Sequence, residues 1–220
     1  MISLLNITKQ ILKEGKYSNI TKQVVNLIVQ ELKTSIKKKK HTLETFINDN
    51  DIQFELVLNI IRTKKQKEYT ILAFTDSEDD TDESQIEISI VLSPINEQEQ
   101  YSNIYMELID TIRHEIEHLT QSGTNKKDNK PKKTNTKQFQ KLVTEPYKEY
   151  LLKDEIPAYV RGFYERAKKE RRYLDDIMLE FLNYYVDISK TLTIQQRDKI
   201  MKVWIKYAKD NLPSAKFKNN

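Results

Sequence analysis

The chain has 220 residues and no cysteine, which excludes disulfides, thiolate metal sites and a cysteine nucleophile. Its 37 Lys and Arg against 33 Asp and Glu leave a net charge of +4, unevenly placed rather than dominant. Three Gly and five Pro, beside abundant Lys, Glu, Ile and Leu, favour long helices over a loop-rich β architecture, and the length suits a single domain.

The opening Met1-Ile2-Ser3-Leu4-Leu5-Asn6 mixes polar with apolar residues, so neither a signal peptide nor a membrane span is expected, and a cytoplasmic protein is the default. Leu4, Leu5, Ile7, Ile11 and Leu12 recur at helical spacing until Gly15 and predict a helix over 3–13. A second is expected over 21–38, with Val24, Val25, Leu27, Ile28, Leu32 and Ile36 on one side and Lys37 to Lys40 complementing its C-terminal dipole. Residues 1–50 therefore read as an N-terminal helical segment.

From 52 to 94 the apolar period changes to two, predicting strands over 52–60, 69–74 and 86–92. Their connections are basic at 63–67 and acidic at 76–84. Asp76, Asp79, Asp80 and Asp82 in the acidic segment lack the Gly and terminal Glu of a calcium loop, so it reads as a solvated connection. A helix follows over 99–121. Residues 122–137 carry no apolar side chain apart from Pro131 and predict a loop that cannot pack. Helical periodicity then returns over 154–171, 173–189 and 193–211, with Pro213 ending the last. The expected fold is α+β: a small mixed sheet of about three strands packed on the 99–121 helix, with a catalytic core over 51–171 and C-terminal helices over 172–220.

Chemistry concentrates in His114-Glu115-Ile116-Glu117-His118, which holds two of the three histidines. Residues four apart stack on one helix face, so both imidazoles can reach one metal ion while Glu115 projects toward a bound water. On a helical wheel Tyr105, Leu108, Ile109, Ile112, Ile116 and Leu119 form an apolar stripe, and His114 and His118 fall on the opposite, polar side. A catalytic zinc needs a third protein ligand and an open position for water. No histidine follows His118, so that ligand is a downstream carboxylate, with Glu145, Glu149, Asp154, Glu155 and Glu165 as candidates. Glu155 is favoured, because Asp154 reads as an N-cap and Pro157 belongs in a first helical turn. Ala158 and Gly162 on the same side permit close helix approach, and Tyr159 and Arg166 there could stabilise an oxyanion.

HEIEH followed by DEIPAYVRG resembles the gluzincin branch of the zinc metallopeptidases, over about residues 86–166. The resemblance implies a zincin-like fold, zinc bound by His114, His118 and Glu155, and Glu115 as general base. It also implies that the strand before the motif helix, 86–92, forms the edge that binds extended substrate. Two positions depart from the family: Glu117 is charged, and Tyr159 stands where thermolysin-like enzymes carry an Asp. The short E-x-x-A form is closer to compact predicted peptidases of phages and bacteria, which would make the protein virion-associated if phage-encoded.

The function expected is a zinc-dependent metallopeptidase acting on a polypeptide, with no membrane partner. The alternatives are a non-catalytic zinc-binding or nucleic-acid-associated protein on the same scaffold, and a phage structural or processing component. Lys37 to Lys40, with His41 beside them, and Lys126 to Lys137 lack interleaved aromatics and read as solvated basic segments, so a nucleic acid is not the favoured partner.

Overall fold

A computed structural model describes residues 17–49, 52–65, 68–76, 84–95, 97–121 and 145–218. The helix expected over 3–13, the loop over 122–137 and most of the acidic connection at 76–84 lie outside the described residues. The chain divides into two compact units, one over residues 18–130 and one that includes residues 131–220.

The first unit opens with α1 (Ser18–Thr34), whose Val24, Val25, Ile28 and Leu32 are fully buried at the predicted spacing. Four strands follow: β1 (Lys40–Asp49), β2 (Ile52–Arg62), β3 (Thr70–Asp76) and β4 (Gln85–Leu92). They form one mixed sheet in the order β1-β2-β4-β3, antiparallel except for the parallel β2–β4 pair. The motif helix α2 (Glu97–Gln121) packs on α1 and along β3. Leu56, Leu58 and Ile60 of β2 register with Ile86, Ile88 and Ile90 of β4, and all six are fully buried. Each such side chain contributes roughly 1.5–3 kcal/mol of transfer free energy.

Two expectations are corrected here. The sheet has a fourth strand, β1, in the stretch read as helical, because its side chains alternate between exposed and only half-buried and carry a weak apolar signal. Strand β4 lies between β2 and β3 in the sheet, so both its edges are hydrogen-bonded and β3 takes the edge position instead.

Arg62 is the last inward-facing residue of β2, at a position where the pattern would place another aliphatic side chain. All five of its guanidinium donors are used. Nε and Nη2 form a bidentate pair with Glu97 at 2.7 Å each, Nη2 also donates to the Leu32 carbonyl at 2.9 Å, and Nη1 donates to Ser35 Oγ and the Lys38 carbonyl. One buried side chain thereby ties the end of α1, the turn after it and the first residue of α2 to the sheet. Tyr101 donates to Glu97 as well, and burial together with that carboxylate pushes its phenol up to about 12.

In the second unit, a 3₁₀ segment (Pro146–Leu151) leads into α3 (Glu155–Glu170), α4 (Leu174–Asn183) and α5 (Ile194–Asn211), with one π-helical turn (Tyr184–Ile188) after α4. Arg171 closes α3 in the left-handed region at φ 56°, and a reciprocal Thr193–Gln196 capping box opens α5. Val160, Phe163, Ile177, Met178, Leu182, Ile200 and Trp204 make the core, and the Trp204 indole N–H donates to the Tyr150 carbonyl at 2.9 Å. No described helix is long and apolar enough to cross a membrane.

Candidate metal centre

His114 and His118 stand on α2 one turn apart, both half-buried, while Leu108, Ile112, Ile116 and Leu119 of the same helix are buried. The helix thus turns its apolar stripe inward and its imidazoles outward, as the periodicity predicts. The two Nε2 atoms are 2.9 Å apart, with ring centroids at 4.6 Å and planes at 72°. Two nitrogens at the usual zinc distance of about 2.0–2.1 Å and tetrahedral angle stand about 3.3 Å apart, so the pair is close to the spacing that one zinc ion requires.

Glu115 between them is buried, and its Oε2 accepts a 2.7 Å hydrogen bond from Thr75 Oγ1 at the end of β3. That contact spans forty residues of sequence and holds the carboxylate beside the edge strand rather than in bulk water. Thr75 is the site residue that sequence reasoning missed; it follows directly on the stretch predicted as a strand. Glu117, the charged departure from the family pattern, is paired with Arg113 one turn back at 2.8 Å, and both side chains are buried. A charge at this position is accommodated because the helix carries its own counterion.

Glu155 is the first residue of α3, with Pro157 in the same turn. Asp154 occupies the N-cap position but makes no side-chain cap hydrogen bond and has helical backbone angles, so the cap expected there is absent. Among the other carboxylates considered, Glu145 is ion-paired with Lys148, and Glu165 is buried and paired with Lys168 at 3.0 Å. Burial and the nearby Glu155 charge push the Glu149 carboxyl up.

His114 and His118 belong to the first unit, and Glu155 opens α3 in the second. This donor set, two imidazoles and one carboxylate, is that of catalytic zinc sites that leave a position open for water.

Tyr159 and Arg166 have separate surroundings. The Tyr159 ring stacks on Trp204 at 5.3 Å and on Phe163 at 6.1 Å, and burial, reinforced by Tyr150, Glu155 and Glu149, holds its phenol well above the ordinary range. It stays protonated and able to donate at any physiological pH. Arg166 bridges Glu170 at 2.7 Å and Glu180 at 2.9 Å, which ties α3 to α4.

Comparison of the chain with protein-family models, with curated proteins and with solved structures gives no match.

Proposed function

We propose that the protein is a zinc-dependent metallopeptidase in which His114, His118 and Glu155 hold the metal and Glu115 is the general base. The observation that carries this reading is the 2.9 Å approach of the His114 and His118 Nε2 atoms on one helix face, with the buried Glu115 carboxylate on the same helix. A structural zinc site would be closed by a fourth protein ligand. The set proposed here, His114, His118 and Glu155, has three.

Zinc held by His114, His118 and Glu155 would supply a Lewis acid for a substrate carbonyl and a bound water with a pKa of about 7. Glu115, its carboxylate positioned by Thr75, would take a proton from the attacking water and return it to the leaving amine. Tyr159, kept neutral by burial, is the candidate donor to the oxygen on which charge develops. An extended polypeptide would add to the outer edge of β3, the strand whose Thr75 touches Glu115, rather than to the interior strand β4.

The test pairs elemental analysis with one substitution. Purified wild type should carry about one zinc per chain and cleave an unfolded protein such as casein, whereas Glu115→Gln should keep the zinc and lose the cleavage. Cleavage by Glu115→Gln at the wild-type rate would exclude Glu115 as the base.

A further inference from the structure

The lysine run 37–40, which reads as a solvated segment, and the start of the basic connection after β2 are brought together at one end of the sheet. Lys40 registers with Ile61, the Arg62 backbone N–H donates to the Lys39 carbonyl at 2.8 Å, and Lys64 and Lys65 follow immediately. Lys37, Lys38, Lys39, Lys40, Lys64 and Lys65 are all exposed, and among the described residues none of them takes part in an ion pair. Nearby acids are already engaged: Glu31 with His41 at 2.7 Å and Glu97 with Arg62. Glu68 is the exposed acid that follows them in the chain.

We propose that this lysine end of the sheet binds the phosphate backbone of a nucleic-acid duplex. The turn carrying the lysines is fixed through its main chain, by the Arg62 guanidinium on the Lys38 carbonyl and by the Lys38 N–H on the Ser35 carbonyl, so no ammonium is spent in shaping it. Compact lysine charges suit phosphate contacts that carry no base readout. Single-strand binding relies on stacking rings, and the exposed Phe46 and Phe74 of this sheet instead register with Glu55 and Glu87. Ile36 and Ile61, each 36 % exposed, are the exposed aliphatic side chains beside these lysines, small against the aromatic-rich core that a protein interface buries. The patch meets the start of α2 at Glu97, seventeen residues or about 25 Å of helix from His114, so it is a docking surface apart from the metal centre.

The experiment uses the full-length protein and a fluorescein-labelled duplex of about 20 base pairs, as DNA and as RNA, with anisotropy read between 50 and 200 mM salt. Six contacts predict a log–log salt slope of about −5, a loss of roughly 10³ in affinity over that range, with little dependence on sequence. Replacing Lys37, Lys39, Lys64 and Lys65 by Gln should bring the slope to about −2, whereas the same change at the exposed Lys22, Lys153, Lys202 and Lys216, which removes equal charge, should leave it near wild type. The proposal is overturned by absence of duplex binding at 50 mM salt or by equal effects of the two quadruple variants. It is equally overturned if phosphatidylserine vesicles bind while the duplexes do not. None of these readouts depends on zinc or on hydrolysis.

Discussion

Replacing Arg62 with Met removes all five hydrogen bonds of the clamp at the base of α2. Glu97, 3 % exposed, is left with the Tyr101 hydroxyl as its remaining contact within that clamp, and the Leu32 and Lys38 carbonyls lose the guanidinium. Breaking a buried ion pair from one side costs about 3–5 kcal/mol, and a buried acceptor left unsatisfied adds about 1–3 kcal/mol. Because the Lys38 carbonyl borders exposed lysines and can recruit water, the Glu97 contribution dominates, giving a loss of about 4 kcal/mol. With an m-value of roughly 2 kcal/mol/M, the urea midpoint followed by far-UV circular dichroism should fall by about 2 M. The double variant Arg62→Met/Glu97→Leu should regain most of that, since an apolar replacement of a buried pair is often near neutral. A single variant within about 1 kcal/mol of wild type would refute the assignment of Arg62 as the clamp.

Three further outcomes follow from contacts described above. Thr75→Val should cost about 1.5–3 kcal/mol, the range for a hydrogen bond to a charged group, and leave zinc affinity unchanged, while Thr75→Ser stays near wild type; equilibrium unfolding and metal titration read the two effects separately. The Glu170 carboxyl is pushed up by burial, but hydrogen bonds from Arg166 and Arg172 outweigh this and hold it below the usual range. Its stabilisation is therefore present above the unfolded value of about 4.3 and lost as pH falls through the depressed folded value, so Glu170→Gln should flatten the acid limb of a stability–pH profile. Arg113→Met should destabilise the fold by about 3–5 kcal/mol in urea, because the Glu117 carboxylate loses its buried partner.

The parts of the fold legible from sequence are those where apolar spacing is unambiguous. Phe54, Leu56, Leu58 and Ile60 and Ile86 to Leu92 alternate cleanly, and both runs form strands with one fully buried face. Strand β1 was not legible, because Leu43, Thr45 and Ile47 are only half-buried at a sheet edge and four lysines precede them. Strand order was not legible either, since nothing local in 86–92 says that β3 pairs back across it. At the centre, the placement of His114 and His118 on one face follows from helical spacing alone, and the first-turn position of Glu155 follows from Pro157 two residues on. The Arg113–Glu117 pair has the local i,i+4 spacing, whereas Thr75 and Arg62 depend on side chains meeting across the fold. Two of those contacts join residues 35 and 40 positions apart, beyond the reach of any local pattern.

The central claim is that His114, His118 and Glu155 bind one zinc ion, and competition with a chromophoric chelator tests it most directly. Wild type should withdraw one equivalent of zinc. Loss of an outer hydrogen-bond partner alone typically costs 10–100-fold in metal affinity, so removing a ligand, as in His114→Ala or Glu155→Ala, should cost more than about 100-fold, while Glu149→Ala stays near wild type. Unchanged zinc affinity in Glu155→Ala would contradict the site, even if the two histidines proved to bind metal.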